Sequence, residues 1–273
     1  MFTRTILSLV VVLGITGSGL AQTPWQFRWQ KGQVLNYRIK LTTSVVEMAE
    51  NSTFMSSSKL DLVNRWQITD MDDKGIATLA MSIVSMRQEQ TLTDGTKLFF
   101  DSEDLDKSTP QLREQMKKYV GATHAVVRLD GYGRVIEVKQ GSAATFEVEP
   151  PFVVVFPAAN AAVGQAWRRP FTLVLEPPFG AGEKFEAEQR YDCKKIETGR
   201  ATIGVATSFK TMPDNARDKI PLMQKDVQGE LVVDLKAGRL LSVALNIDKM
   251  VENHQGKGSS YRYQSQYTRQ LID

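Results

Sequence analysis

Along most of this chain apolar and polar residues alternate with period two. Leu35, Tyr37, Ile39 and Leu41 fall on one face of an extended segment, and Asn36, Arg38 and Lys40 on the other. Successive side chains of a strand point to opposite faces, so the pattern gives each strand one oily face and one wet one. Leu60, Leu62, Asn64, Trp66 and Ile68 repeat it, as do Ala77, Leu79, Met81 and Ile83. Near the end, Tyr261, Tyr263, Ser265 and Tyr267 alternate with Arg262, Gln264, Gln266 and Thr268. Half-buried strands of this kind belong to antiparallel sheet covered on one side. The expected fold is mainly β, built from curved antiparallel sheets.

Turn signals separate the runs. Asp72-Asp73-Lys74-Gly75, Thr93-Asp94-Gly95 and Asp130-Gly131-Tyr132-Gly133 place glycine where a tight reversal needs positive φ, and so do Glu197-Thr198-Gly199 and Lys236-Ala237-Gly238. Strands spaced this way predict a meander. One segment breaks the pattern. Ser108 or Thr109 suits a helix cap, Pro110 a first turn, and Leu112, Met116, Tyr119 and Val120 recur at helical spacing. A single helix is expected over 110–120.

The chain also matches itself. Gly32-Gln33 and Gly164-Gln165 each open a strand, Arg65-Trp66 corresponds to Arg190-Tyr191, and Gly75 to Thr78 corresponds to Gly199 to Thr202. Gly133-Arg134-Val135 corresponds to Gly238-Arg239-Leu240, and the order is the same in both halves. Gly75 and Gly133 are 58 residues apart and Gly199 and Gly238 only 39, and the stretch Asp101–Val120 accounts for the excess. Glycine-bounded hairpins resemble one another in any protein; the shared order is what favours duplication. The expected organisation is a leader at 1–21, a first β unit at 22–148, a packed proline-rich connector at 149–163 and a second β unit at 164–273. Pro150, Pro151 and Pro157 exclude mid-sheet strand, and the unbroken apolar run Phe152–Phe156 needs something to pack on.

The leader has Arg4, a short apolar run from Ile6 to Ile15, and Gly19-Leu20-Ala21 as small residues flanking a cleavage point. The run is about half the roughly 20 residues that span a bilayer. Export with cleavage after Ala21 is expected, giving a periplasmic or extracellular chain without a transmembrane segment.

Composition then removes whole classes of function. With 34 basic and 31 acidic residues in 273, there is no electrostatic footprint for nucleic acid. Two histidines and one cysteine leave little for a metal cluster or disulfide framework. His124 and His254 lie far apart and would have to converge to act together. Cys193, followed by Lys194 and Lys195, reads as a small structural residue in a strand rather than a reactive thiol. Asp70 to Gly75 starts like a calcium loop, but Lys74 stands at a ligand position and Met81 where a bidentate glutamate belongs, so a charged hairpin turn is expected. Asp101, Glu103, Asp104 and Asp106 read as a solvated approach to the helix. Gly256-Lys257-Gly258-Ser259 lacks the pattern of a phosphate loop, and no G-x-S-x-G or H-E-x-x-H occurs. Asn51-Ser52-Thr53 fits a glycosylation acceptor. Trp25, Phe27, Trp29, Trp66, Trp167 and Tyr191 read as core, with the lining of an apolar cavity as the alternative.

An export signal, strands opened by Gly-Gln, Gly-Arg hairpins and one covering helix give the chain a resemblance to exported bacterial proteins of uncharacterised families. In architecture it also resembles envelope lipid and lipoprotein carriers of the LolA/LppX kind. That resemblance implies a curved antiparallel half-barrel whose helices close an apolar cavity. It covers the pattern of the chain after the leader without a diagnostic motif. The single helix and the absence of a lipidation cysteine depart from it, and it carries over no binding residue.

The expected function is a non-enzymatic envelope protein that binds an apolar ligand or a protein segment on a curved sheet. Two alternatives stand beside it, an interaction module with a filled core and an exported hydrolase using an unidentified acidic pair. No cofactor, metal ligand or catalytic residue is expected, and the ligand-binding residues stay open. The expected partners are a lipid-like molecule or an envelope protein.

Overall fold

The computed structural model describes residues 24–50, 52–177 and 180–272. The expected leader and the Asn51 acceptor lie outside the described residues. The first half contains β1 (Val34–Ala49), β2 (Ser52–Met71), β3 (Ala77–Thr91), β4 (Lys97–Asp101), α1 (Pro110–Met116), β5 (Thr123–Leu129), β6 (Val135–Gln140) and α2 (Ala143–Val148). The second half contains β7 (Ala166–Leu175), β8 (Glu183–Glu197), β9 (Arg200–Phe209), α3 (Lys219–Met223), β10 (Gln228–Asp234), β11 (Arg239–Glu252) and β12 (Ser260–Ile272). All the strands join one antiparallel sheet in the order β6-β5-β3-β2-β1-β12-β11-β10-β9-β8-β7, and β4 pairs with the far half of β3. The sequence therefore reads correctly as mainly β.

The oily faces point as the alternation requires. Leu35, Tyr37, Trp66, Ile68, Ala77 and Leu79 are buried. The phase holds until Val84. There Ile83 pairs with Asn64 and Ser85 with Val63, so Val84 bulges out and Met86 takes the inward position. The turns keep their glycines at positive φ, at Gly75, Gly95, Gly133, Gly199 and Gly238. Asp72 completes the β2–β3 turn by accepting the Lys74 and Ile76 amides, which makes this acidic segment a hairpin turn.

The helical expectation needs correction. The α-helix stops at Met116 and tightens into a 3-10 turn at Lys117–Tyr119. Neither candidate cap caps it. Thr109 Oγ1 accepts the Phe99 amide and Ser108 Oγ the Asp101 amide, so both hydroxyls serve β4 instead. Leu112 buries against Met86, Leu98 and Phe100 in a satellite core. Two further helices, α2 and α3, are too short for a 3.6-residue period to show in sequence.

The main core forms where the sheet curls on itself. Trp66 on β2 and Gln189 on β8 line one cavity, yet six strand spacings of about 4.8 Å separate these strands, nearly 30 Å on a flat sheet. Two segments fill part of the concave side. One is the strap Trp25–Trp29 and the other the connector Phe152–Phe156; Trp25, Phe27, Trp29, Phe152, Val154 and Phe156 are all buried. The Phe27 and Trp29 rings stack at 4.9 Å, and Phe152 sits 5.3, 5.1 and 5.5 Å from Phe27, Trp29 and Trp66.

The strap is held by two hairpin turns from different parts of the sheet. Phe27 N–H donates to Gly131 O in the β5–β6 turn (2.7 Å), and Arg28 N–H to Gly238 O in the β10–β11 turn (3.1 Å). A Cβ on Gly238 would lie 2.5 Å from Arg28 Cγ and 2.7 Å from Gln26 O, whereas one on Gly75 meets open space. Both glycines have positive φ, so alanine at either costs roughly 1–2 kcal/mol in backbone strain. Gly238→Ala is expected to cost a further roughly 1–3 kcal/mol from overpacking the strap. Urea unfolding of the two variants measures the difference, and equal midpoints would contradict the clasp.

Candidate functional site

The connector enters the concave face from α2. Ser142 Oγ caps this helix by accepting the Thr145 amide, and Pro150 and Pro151 prevent its continuation. Arg169, on β7, closes the other end of α2, donating to Glu147 O (2.6 Å) and Val148 O (2.9 Å), where a cation suits the helix dipole. Beyond it, alternate connector carbonyls are taken by sheet side chains. Arg269 Nη1 donates to Pro151 O (2.6 Å), the Tyr191 hydroxyl to Val153 O (2.9 Å) and Trp167 Nε1 to Val155 O (2.8 Å). Phe152, Val154 and Phe156 meanwhile face the core. The period of two thus persists in a segment that is no strand, anchoring its backbone on one side and its side chains on the other.

Beside this plug the concave face leaves a cavity of about 430 Å³. Ile39, Leu41 and Trp66 form one wall, Leu245 and Ile247 another, and Phe146, Val148 and Phe171 a third. Five polar side chains stand among them at inward positions: Asn64, Gln189, Thr207, Ser265 and Arg269. Gln189 Oε1 accepts from Arg169. Three of the five, and Trp66 of the wall, have atoms with no hydrogen-bond partner among the described residues: Asn64 Oδ1, Thr207 Oγ1, Arg269 Nε and Nη2, and Trp66 Nε1. Such buried atoms are uncommon in folded proteins, and here most of them gather on one cavity.

Burial also changes the acidity of this face. Desolvation pushes the phenols of Tyr37 and Tyr191 up to about 12, against the smaller pull of Arg269 and Arg169 respectively. Tyr267, which lines the cavity, is raised by the same cause. Among the described residues Glu149 is the single carboxylate in the lining, and it pairs with Lys225. The described lining therefore brings no two carboxylates together.

The other sequence candidates lie elsewhere. His124 Nε2 meets Tyr119 O, and His254 Nε2 meets Glu47 Oε1 at 2.8 Å, so the two histidines serve different partners. Cys193 is buried and burial raises its thiol, while Lys194 and Lys195 pair with Glu230 and Glu197. Asp101 accepts the Glu103 amide, and Asp104 pairs with Lys107. Gly256–Ser259 is the β11–β12 turn, where Asn253 Oδ1 accepts the Gly258 amide. Among the described residues no group of three or more His, Cys, Asp or Glu is placed to hold a metal ion. Trp25, Phe27 and Trp29 are core, and Trp66 is both core and cavity wall.

Sequence reasoning missed Arg269 and Arg169. The signal was present: each continues the inward register of its strand, Arg269 after Tyr263, Ser265 and Tyr267, and Arg169 between Trp167 and Phe171. A basic residue on an oily face is the observation that marks the site.

No family model and no curated protein matches the chain. Among solved structures, lipovitellin, described for its lipid–protein interactions, aligns with 90% of this chain at 14% identity and a TM-score of 0.48. The chain spans about a quarter of that protein, 26% of its length. An outer membrane channel from Pseudomonas putida F1 aligns over 91% of this chain and 98% of its own at 7% identity, with a TM-score of 0.26. DynF, of the dynemicin biosynthesis pathway of Micromonospora chersina, covers all of this chain and 94% of its own at 9% identity and a TM-score of 0.23. These likenesses are too distant to bear on function.

Proposed function

We propose that this is an exported, non-enzymatic binding protein whose curled sheet holds an apolar ligand in the cavity beside the aromatic plug. The observation that carries the reading is the cavity itself. Its 430 Å³ falls in the range of about 300–1,000 Å³ usual for small-molecule sites, and its walls are largely apolar with a few inward polar groups. Export rests on the leader read in the sequence; no helix among the described residues is long and apolar enough to cross a membrane. Native mass spectrometry of protein purified without detergent is expected to show an added apolar mass that organic solvent extracts. A clean apo mass, together with no uptake of an apolar fluorescent probe, would overturn the reading.

One observation favours an interaction module instead. At the tip of the longest strands Met55 pairs across with Val46, Val46 with Arg262 and Arg262 with Met250, and Met48, Met55 and Met250 are exposed. Exposed methionines around Arg262 at a strand tip suit a partner surface.

The duplication belongs with this proposal. What supports it is the sheet order: β1, β2, β3, β5 and β6 follow one another as neighbours just as β7, β8, β9, β10 and β11 do, with β12 between the sets. The paired signatures also make the same bonds. Gly32 N–H donates to Ile68 O and Ile68 N–H to Gln33 O; Gly164 N–H donates to Cys193 O and Cys193 N–H to Gln165 O.

A further inference from the structure

We infer that the cavity takes a single-chain amphiphile with an anionic oxygen head, carboxylate or phosphate, and that Arg269 reads the head. This rests on the proposed function and narrows it to a ligand class. Arg269 is only 4% exposed. Its guanidinium lies 4.0 Å from the Tyr37 ring centre and 5.3 Å from that of Phe152, and Nη1 is spent on Pro151 O. No carboxylate among the described residues pairs with it, so a full charge is met only by neutral groups: two ring faces, one carbonyl and the Tyr267 phenol. A buried cation without a counter-charge is costly, and an anion placed beside it relieves that cost.

The remaining donors suit such a head. Arg269 Nε and Nη2 are unspent, and Trp66 Nε1 is a second unspent donor on the same cavity, close to the same Phe152 ring. Arginine offers planar, paired donors that match a carboxylate or phosphate. Arg269 Nε and Nη2 and Trp66 Nε1 are all sealed from water, so a head group reaches them only as neighbouring side chains shift; the Tyr267 phenol, which lines the cavity and interacts with the guanidinium, is one that an anion would replace. The volume limits the tail. At about 30 Å³ for a water-sized group, 430 Å³ holds on the order of a dozen such groups, one medium chain rather than two.

Calorimetric titration at pH 8 of the full chain after the leader, with dodecanoate, dodecyl phosphate, dodecanol and dodecyltrimethylammonium below their micelle thresholds, tests this. One or both anions are expected to bind about ten- to a hundred-fold tighter than dodecanol, and the cation weakest. The tighter anion identifies the head group. In Arg269→Gln the preference for the anion over dodecanol is expected to vanish, and in Arg269→Lys to persist in reduced form. Dodecanol binding as tightly as the anions would overturn the inference and leave the apolar-ligand reading standing. An anion preference that survives in Arg269→Gln would overturn Arg269 as its reader. Binding of none of the four would sink the apolar-ligand reading itself. Should Arg269→Gln fail to fold, the wild-type selectivity and the Arg269→Lys ratio still decide.

Discussion

Replacing Phe152 by alanine is expected to cost about 3–5 kcal/mol of folding stability, the range for a large aromatic removed from a tight core. This side chain is 1% exposed and touches four other rings, Phe27, Trp29, Tyr37 and Trp66. It also shares the Arg269 guanidinium with Tyr37. The rings belong to the strap, to β1 and to β2, so one deletion loosens three elements. The hole cannot collapse easily, because the connector backbone is pinned by Arg269 and Tyr191. Phe152→Leu keeps most of the volume and should lose markedly less. Val34→Ala, at a strand residue that is 45% exposed, should stay within about 0.5 kcal/mol of wild type. Urea unfolding read by tryptophan fluorescence measures all three. A loss below about 1 kcal/mol for Phe152→Ala would show that the plug does not hold the curl together.

A second large effect is expected in alkali. Tyr37 and Tyr191 are fully buried, and burial raises both phenols from the ordinary 10.0 to about 12. The native state therefore keeps two protons that the unfolded chain releases above pH 10. Stability from these groups is complete below pH 10 and declines as pH rises toward 12, since the unfolded state is then favoured by ionisation. Each tyrosine accounts for roughly 2–3 kcal/mol across that window, so the pair removes on the order of 5 kcal/mol. Tyr267, raised in the same direction, adds to the decline. Unfolding free energies measured from pH 8 to pH 12 should fall steeply above 10, and Tyr37→Phe or Tyr191→Phe should flatten the slope. A profile that stays level to pH 12 would contradict the burial of these hydroxyls. Tyr37 also donates to Leu240 O at 3.0 Å, so its phenylalanine variant starts from a lower plateau.

The strands were legible because burial on one face leaves its mark at every second residue. Leu35, Tyr37 and Ile39, and likewise Ala77 and Leu79, declare their orientation without help from the rest of the fold. What alternation cannot convey is which strands meet across the curl. Trp66 and Gln189 look like ordinary inward residues, and only the rolling of β2 toward β8 makes them walls of one space. The strap was invisible for a different reason. Trp25, Phe27 and Trp29 alternate like a strand, yet this segment is bonded to turns rather than to a neighbouring strand. The helices show the limit from the other side. Ser108 and Thr109 have the right chemistry for a cap, but β4 lay close enough to claim both hydroxyls. Arg269 could have been found by asking which charged residues keep the oily register.

The pairing of β1 with β12 and the clasp on the strap set the tempo of folding. Phe27 and Arg28 find their partners 104 and 210 positions further along, and β1 runs beside the last strand of the chain. Loops of that span close late, and folds dominated by distant pairings assemble slowly. Until β12 docks, one flank of β1 has nothing to bond. An intermediate in which β12 has not yet docked therefore carries an unpaired strand edge, and such an edge is a template for pairing with another chain until it is closed.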